Sequence, residues 1–556
     1  MVKYMIKVHF LPDDISILVA SGVTILEAAR LAGVLIEAPC NGAGHCGKCA
    51  VLVPTADLER LELHSPALYH DTATSRILAC HSEILGDIRV TVPPQREEGL
   101  VAVGAGTSRA FAIEPYITRV FEPKTGETVI RGGDEILAVE PGDSSRLNFG
   151  IVIDIGTTTL VAALINLGSG NEIAVASALN PQSLHAQDVL SRIRFASTPH
   201  GLEQLQRELV AALNGLIEKV TSEGGVCAEQ LYEAIFSGNT CMLHLAAGVD
   251  PTPLGKIPFT PSIVGGFHLP AAEIGLHISP KGIVYLPPII SAYVGADISV
   301  GILAADLNRL PGVSLFIDIG TNGELALAVD GLLTASATAA GPAFEGMNIS
   351  CGMRAASGAI ERVAVTPQGN VEIGVIGDVE PVGICGSGLM DLVAMLLKGG
   401  IIGKSGRFAS PSASSAGLLQ RMEGEGGTRA FRIAPNVTLT QKDVRQVQLA
   451  KGAIRAGIEL LLAGAGLSAA DLDRVLIAGS FGYHLSEESL LILGLLPPES
   501  TGKVSFLGNT SRSGGEILLL NRHLRDELSG IVAGVKSIEL SADPAFERVF
   551  VEAMKF

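Results

Sequence analysis

The chain has 556 residues, 47% hydrophobic and 17% charged, which is material for roughly three to five packed units and does not fit a disordered tail or a long coiled coil. Its 40 Lys and Arg against 57 Asp and Glu leave a net charge of −17, the wrong sign for a protein that must displace counterions from nucleic acid. The N-terminus carries no signal-peptide pattern and no apolar run reaches the roughly 18 residues of a membrane span, so the expected location is cytoplasmic, with neither nucleic acid nor membrane as partner.

Residues Met5 to Phe10 and Ile15 to Ala20 alternate polar and apolar, with Pro12, Asp13 and Asp14 between them. This is the pattern of a β-hairpin. Thr24 followed by Glu27 predicts a capping box at the start of a helix whose apolar side is Ile25, Leu26, Ala29 and Leu31 and which Gly33 closes. Ile88 to Val92 reads as a last strand before Pro93 and Pro94.

Between these elements lie Cys40, Cys46 and Cys49, separated by five and then two residues, and Cys80 after thirty more. Four thiolates, three from one compact loop, suit a 2Fe–2S cluster, and Gly42, Gly44 and Gly47 let the backbone wrap closely around inorganic sulfur. Zinc is the competing reading, but its ligands usually come as two close pairs rather than a triplet and a distant single. Cys227, Cys241, Cys351 and Cys385 lack ligand spacing and read as buried, inert thiols.

Residues 96–148 are rich in Gly, Glu and Pro with short strand-like runs such as Tyr116 to Phe121, and read as a linker with a small packed element. Then GIVIDIGTTTLVAAL places Asp154 at the end of a buried strand, before Gly156, Thr157, Thr158 and Thr159. The pattern returns 164 residues later in SLFIDIGTNGELAL, with Asp318, Gly320, Thr321 and Asn322. A strand, a carboxylate, a tight glycine turn and a hydroxyl-bearing return strand make a phosphate hairpin, in which N–H and hydroxyl groups face phosphate and the Asp holds Mg²⁺ or its waters. Two such hairpins facing each other would clamp a nucleotide from both sides. A third stretch, VLIAGSFGYHL, runs a buried strand into Gly479, Ser480, Phe481 and Gly482, a turn open enough for the base or ribose of ATP. Lys442 to Arg455 reads as an amphipathic helix with solvated charges, His244 as a satisfied helix histidine, and Arg354 with Glu345 as a surface pair.

Residues 1–95 resemble plant-type and adrenodoxin-type ferredoxins, and residues 150–556 resemble the superfamily of acetate and sugar kinases, heat-shock chaperone ATPases and actin. The combination, with the segments SGNTCMLHLAAG, LPPIISAYVGADI, AGPAFEGMNISCGMRAASGAI, GICGSGLMDL and LGNTSRSGGEILL, resembles the reductive activators of corrinoid enzymes. That resemblance implies a multidomain α/β and α+β protein: a β-grasp ferredoxin at 1–95, a linker at 96–148, and a two-lobed, duplicated actin-like ATPase with lobes at 149–312 and 313–556. It implies reduction of an inactive Co(II) corrinoid protein of a methyl-transfer system to Co(I), driven by ATP and relayed through the cluster. The cluster ligands would be Cys40, Cys46, Cys49 and Cys80, with Asp154 and Asp318 as the residues of ATP hydrolysis. An upstream low-potential electron donor is implied, and a homodimer is left open. Two alternatives are a dehydratase-type electron-gating activator and a small-molecule kinase with an accessory cluster.

Overall fold

The computed structural model describes residues 5–12, 14–34, 36, 38, 49–65, 69–70, 73–93, 111–366, 370–408, 416–424, 429–479 and 485–556. At the front, Met5–Leu11 and Ile15–Ala20 pair antiparallel, and Met5–Leu11 also pairs parallel with Ile88–Thr91 in a six-stranded sheet. Helix Ile25–Ala32 lies against it. Thr24 accepts from the Glu27 backbone N–H while Glu27 accepts from that of Thr24, and Gly33 ends the helix in the left-handed region. Ile25, Leu26 and Ala29 pack with Val8, Phe10, Val51 and Val90 in one apolar cluster, and Leu31 points to solvent.

Strands Ile117–Glu122, Glu127–Gly132 and Glu135–Pro141 form an antiparallel sheet. Ile117 and Ile130 are buried against the first ATPase-like lobe. Arg119 ties the sheet to that lobe, bonding Glu140 at 2.7 Å and the Gln230 carbonyl at 3.0 Å.

The internal repeat is a repeat of sheets. In the first lobe, strand Phe149–Ile155 pairs antiparallel with Thr159–Asn166, which pairs antiparallel with Glu172–Leu179. On its other side it pairs parallel with Leu231–Gly238, followed by Ile283–Leu286. In the second lobe Val313–Ile319, Gly323–Val329, Leu332–Thr338, Arg474–Ala478 and Val504–Gly508 take the same five places with the same directions. Long helices cover the outer faces: Pro199–Gly224 on the first lobe, Gly386–Lys398 and Gln441–Gly464 on the second.

Two further helices lie between the sheets. Ala296–Ala304 is apolar almost all round; Val300 and Leu303 pack into the cluster of the first lobe, and Ile298 and Ile302 into one with Phe316, Ala326 and Leu476 of the second. Thr510–Leu520 follows strand Val504–Gly508 of the second lobe but sends Ile517, Leu518 and Leu519 into the first-lobe cluster. The two cross closely: a Cβ on Gly514 would sit 2.3 Å from the Val300 carbonyl oxygen. Each lobe thereby lends a helix N-terminus to the cleft. Among the described residues, no helix is long and apolar enough to cross a membrane.

Candidate functional site

The cleft between the hairpins has a volume of about 200 Å³ and is lined by Asp154, Thr157, Thr158, Asp318, Thr321 and Asn322 among others. Gly156, Thr159, Gly320 and Gly479 line it too. The structure brings these sequence-predicted residues together; Ser480, Phe481 and Gly482 fall outside the described residues. The symmetry extends to the glycines ending the fourth strands. A Cβ on Gly238 would stand 2.6 Å from the Ile155 carbonyl oxygen, and one on Gly479 would stand 2.4 Å from that of Ile319. Both have positive φ, so each position demands glycine twice over, for conformation and for space.

The turns differ by one residue. Gly156 N–H bonds the Thr159 carbonyl at 3.1 Å, whereas Gly320 N–H bonds that of Asn322 at 3.0 Å. The first turn is held from behind by Arg192, a fully buried guanidinium whose Nη2 donates to the Thr157 carbonyl at 2.5 Å. Asn239, capping helix Thr240–Ala246, donates to Thr157 Oγ1 at 3.0 Å, and Asn180 donates to the Gly156 carbonyl at 2.9 Å. The tips touch across the cleft: Thr158 Oγ1 lies 3.2 Å from Thr321 Oγ1, which donates to Glu345 Oε1 at 2.7 Å.

At the base of the cleft the two aspartates live in different surroundings. Asp154 accepts from Asn509 Nδ2 at 2.8 Å and Ser511 Oγ at 2.7 Å, although burial still raises its carboxyl above the usual range. Asp318 has no hydrogen-bond donor among the described residues. Burial, then Asp297 and Asp154 beside it, push it up to about 8. Asp297 itself is pushed to about 7 by burial and Asp154, and Glu324, opposite Asp318 across the hairpin, is raised by burial and by both second-site aspartates. The acids at the base of the cleft thus raise one another, although among the described residues no three of them converge closely enough to hold one metal ion.

Asp297, Glu324, Asn509 and Ser511 escape reading from spacing. Asp297, Asn509 and Ser511 sit in the Gly-rich segments singled out in the sequence, but nothing local shows that two helices deliver them to the hairpins. Glu324 was hidden by looking like an ordinary strand residue. Glu345 and Arg354 line the cleft rather than an outer surface. His244 is satisfied, with Nδ1 2.7 Å from the Thr240 carbonyl and Nε2 accepting from Ser262 and Ile263 N–H groups. The thiol reading needs correction. Cys241 and Cys385 are buried, with burial pushing Cys241 up to about 12, but Cys351 is half-buried and Cys227 exposed. The helix over Lys442 to Arg455 also differs from expectation, because Lys451 is only 1% exposed and burial lowers it to about 8.

In the front domain Cys49 Sγ lies 3.2 Å from Cys80 Sγ, and neither is in a disulfide. The hydrogen bond with Cys80 chiefly lowers Cys49 to about 7, against burial. Two converging sulfurs outside any disulfide are half of the four-thiolate set a 2Fe–2S cluster takes. Cys40 and Cys46 lie outside the described residues.

Comparison with known proteins agrees with this division. Residues 8–84 match the 2Fe-2S iron-sulfur cluster binding domain, 149–310 the RACo middle region, and 312–556 the C-terminal domain of RACo, the ASKHA domain. The corrinoid activation enzyme RamQ of Eubacterium limosum is 34% identical over 435 residues, 76% of this chain and 73% of that protein. The Co(II) methylated amine-specific corrinoid protein reductase of Methanosarcina barkeri is 28% identical over 425 residues, 70% of this chain and 74% of that one. A solved structure of a reductive activator for corrinoid,iron-sulfur protein superposes with a TM-score of 0.75 at 31% identity, covering 99% of this chain and 98% of its own. The chain therefore belongs to the RACo family of reductive activators of corrinoid proteins.

Proposed function

We propose that this protein restores a corrinoid protein that has slipped into Co(II) by delivering one electron to give Co(I), using ATP hydrolysis to make the delivery favourable. The observation that carries the reading is the union in one chain of a converging thiol pair with a duplicated phosphate-hairpin cleft. A kinase has no use for the first, and a simple electron carrier none for the second.

When held by Cys40, Cys46, Cys49 and Cys80, a 2Fe–2S cluster supplies a one-electron carrier, at roughly −400 mV for the plant type. Co(I) corrinoids are stronger reductants, and about 59 mV of shortfall costs a factor of ten in a one-electron equilibrium. Delivery is therefore uphill. ATP can drive it only through differential affinity, by favouring one state of the complex over another.

The residues suggest how. Gly156, Thr157, Thr158 and Thr159 on one side and Gly320, Thr321 and Asn322 on the other offer N–H and hydroxyl groups to phosphates. Gly479, Ser480, Phe481 and Gly482 receive the nucleoside. Asp318, which has no donor among the described residues, and Asp297, which accepts from the Ile298 N–H at 2.9 Å, would hold Mg²⁺ or its waters, while Asp154 is oriented by Asn509 and Ser511 toward the same centre. The cleft's volume of about 200 Å³ falls below the roughly 300 Å³ at which ligand pockets begin. Entry of ATP thus separates the hairpin tips, breaking the Thr158–Thr321 contact, and hinge motion of the lobes becomes the two-state element. An upstream low-potential donor would recharge the front domain; the cytoplasm is the fitting compartment, and a homodimer is compatible with this scheme.

The test is ATP hydrolysis measured anaerobically with the protein alone, with a Co(II) corrinoid protein, and with the same partner as Co(I), alongside loss of the Co(II) visible spectrum. Acceleration by Co(II) alone is expected. Equal rates in all three would reject coupling, and phosphate appearing on a small-molecule acceptor would favour a kinase.

A further inference from the structure

Besides the acids at its base, the cleft is lined by the carboxylates of Glu345 and Glu361, the latter already partnered. Glu345 ends the short turn Pro342–Glu345, between Gly341 and Gly346, both with positive φ. Its neighbour Phe344 is fully buried in the second-lobe core, and a Cβ on Gly346 would stand 2.3 Å from the Met353 carbonyl oxygen. The backbone carrying Glu345 is thus fixed. Its Oε1 is held by the Thr321 hydroxyl at 2.7 Å, at the tip of the second hairpin and 3.2 Å in turn from Thr158 at the tip of the first. Its Oε2 is buried and has no hydrogen-bond partner. A buried acceptor left unpaired is expensive, and on a residue that lines the cleft it is matched to a donor that arrives when ligand opens the site.

The other acids are spoken for. Both oxygens of Asp154 are engaged by Asn509 and Ser511, and Asp318, Asp297 and Glu324 lie close enough to raise one another. Arg192, whose hydrogen bonds go to neutral groups, lies within electrostatic reach of Glu345 and adds positive field at the hairpin tips, where phosphates would lie. The cleft is divided, with its mutually raised acids at the base and, at its tips, hydroxyl and N–H groups beside the unpaired oxygen of Glu345.

We infer that Glu345, rather than either hairpin aspartate, orients the water that attacks the terminal phosphate of ATP and takes its proton on Oε2. The water oxygen bonds to phosphorus, the bond from phosphorus to the bridging oxygen breaks with its electron pair staying on ADP, and the proton passes from Oε2 to solvent afterwards. Thr321 is the positioning residue that presents the free oxygen. The inference rests on nucleotide occupying the cleft as proposed above.

The experiment is Glu345→Gln in the full-length, cluster-loaded protein, with kcat for ATP hydrolysis and Kd for ATP and a non-hydrolysable analogue measured separately. Loss of a general base costs about 100-fold or more in kcat, with Kd unchanged within about threefold. Glu345→Asp, which retains a carboxylate one methylene back, should recover part of the loss, and Glu345→Ala replaces the Gln variant if that one does not fold. A Gln variant, or failing it an Ala variant, that binds ATP and hydrolyses it at the parent rate overturns the role of Glu345 alone. Loss of ATP affinity in step with rate also overturns it, in favour of a structural role. A parent protein that binds no ATP removes the nucleotide reading itself.

Discussion

At the first hairpin the aspartate meets the start of helix Thr510–Leu520, where the capping residue Asn509 and the second helical residue Ser511 both donate to it. At the second hairpin the matching helix is Ala296–Ala304, where the cap is Gly295 and the second helical residue is Asp297. Identical Asp-Ile-Gly-Thr strings thus face two donors in one lobe and another acid in the other. Duplication supplied two equivalent hairpins, and the helices exchanged between the lobes made one a hydrogen-bonded carboxylate and the other a carboxylate facing a second acid. The asymmetry lies in the partners of the motif rather than in the motif.

The largest effect that tests this division comes from removing each aspartate. Asp154→Ala and Asp318→Ala are both expected to keep the cluster spectrum and lose ATP hydrolysis by about 100-fold or more, since each strips charge stabilisation from the same centre. They should part on metal. Residual hydrolysis in the Asp318 variant should need about tenfold more Mg²⁺ or cease to respond to it, while the Asp154 variant keeps the parent midpoint. Equal displacement of both midpoints in Mg²⁺ titrations would show the two sites to be interchangeable.

A second test exchanges the partners. Ser511→Asp gives the first aspartate the neighbour that the second has, a buried carboxylate without a cation, and should cost about 3 kcal/mol in urea unfolding at pH 8 without Mg²⁺. Asp297→Ser does the reverse and should stabilise the metal-free protein while weakening Mg²⁺ binding. Destabilisation by both changes would mean that packing, not charge, separates the sites.

How much of this was legible in the sequence follows from the range of each interaction. The front hairpin, the Thr24–Glu27 box and the two phosphate hairpins are set by residues within a few positions of one another, and the pattern of alternation and glycine shows them directly. The repeat even gives the offset between lobes, because Ile155 and Ile319 present equivalent carbonyls to equivalent glycines. Asn509 and Ser511 reach Asp154 from more than 350 positions away. Such an encounter is decided by which way a helix crosses a sheet, and no local spacing encodes it. Glu345 was misread for the same reason: a charged residue in a glycine-rich turn looks solvent-facing until Phe344 is seen buried beside it.

The smallest expected effect is the pH dependence of stability, and its sign separates the two aspartates. Asp318 is held near 8 in the folded protein, chiefly by burial and then by Asp297 and Asp154, against 3.8 for the free side chain. Between those values the folded state carries a proton that the unfolded chain has lost, so this group makes stability fall as pH rises from about 4 to about 8, then level off. Asp297, pushed to about 7, adds a fall over pH 4 to 7. Asp318→Asn removes one contribution. It should leave Tm unchanged only near pH 3, where the parent residue is protonated folded and unfolded alike, and raise it progressively from pH 4 to a full gain at pH 8. Asp154→Asn should gain less at pH 8, because it forfeits the bonds from Asn509 and Ser511 that already favour the charged form. Adding Mg²⁺ should flatten the parent's slope by supplying the missing cation, and leave the Asp318 variant nearly unmoved. A parent whose Tm is level from pH 5 to 8 without Mg²⁺, or an Asp154 variant that gains as much as the Asp318 variant, would show that the second site is no more starved of positive charge than the first.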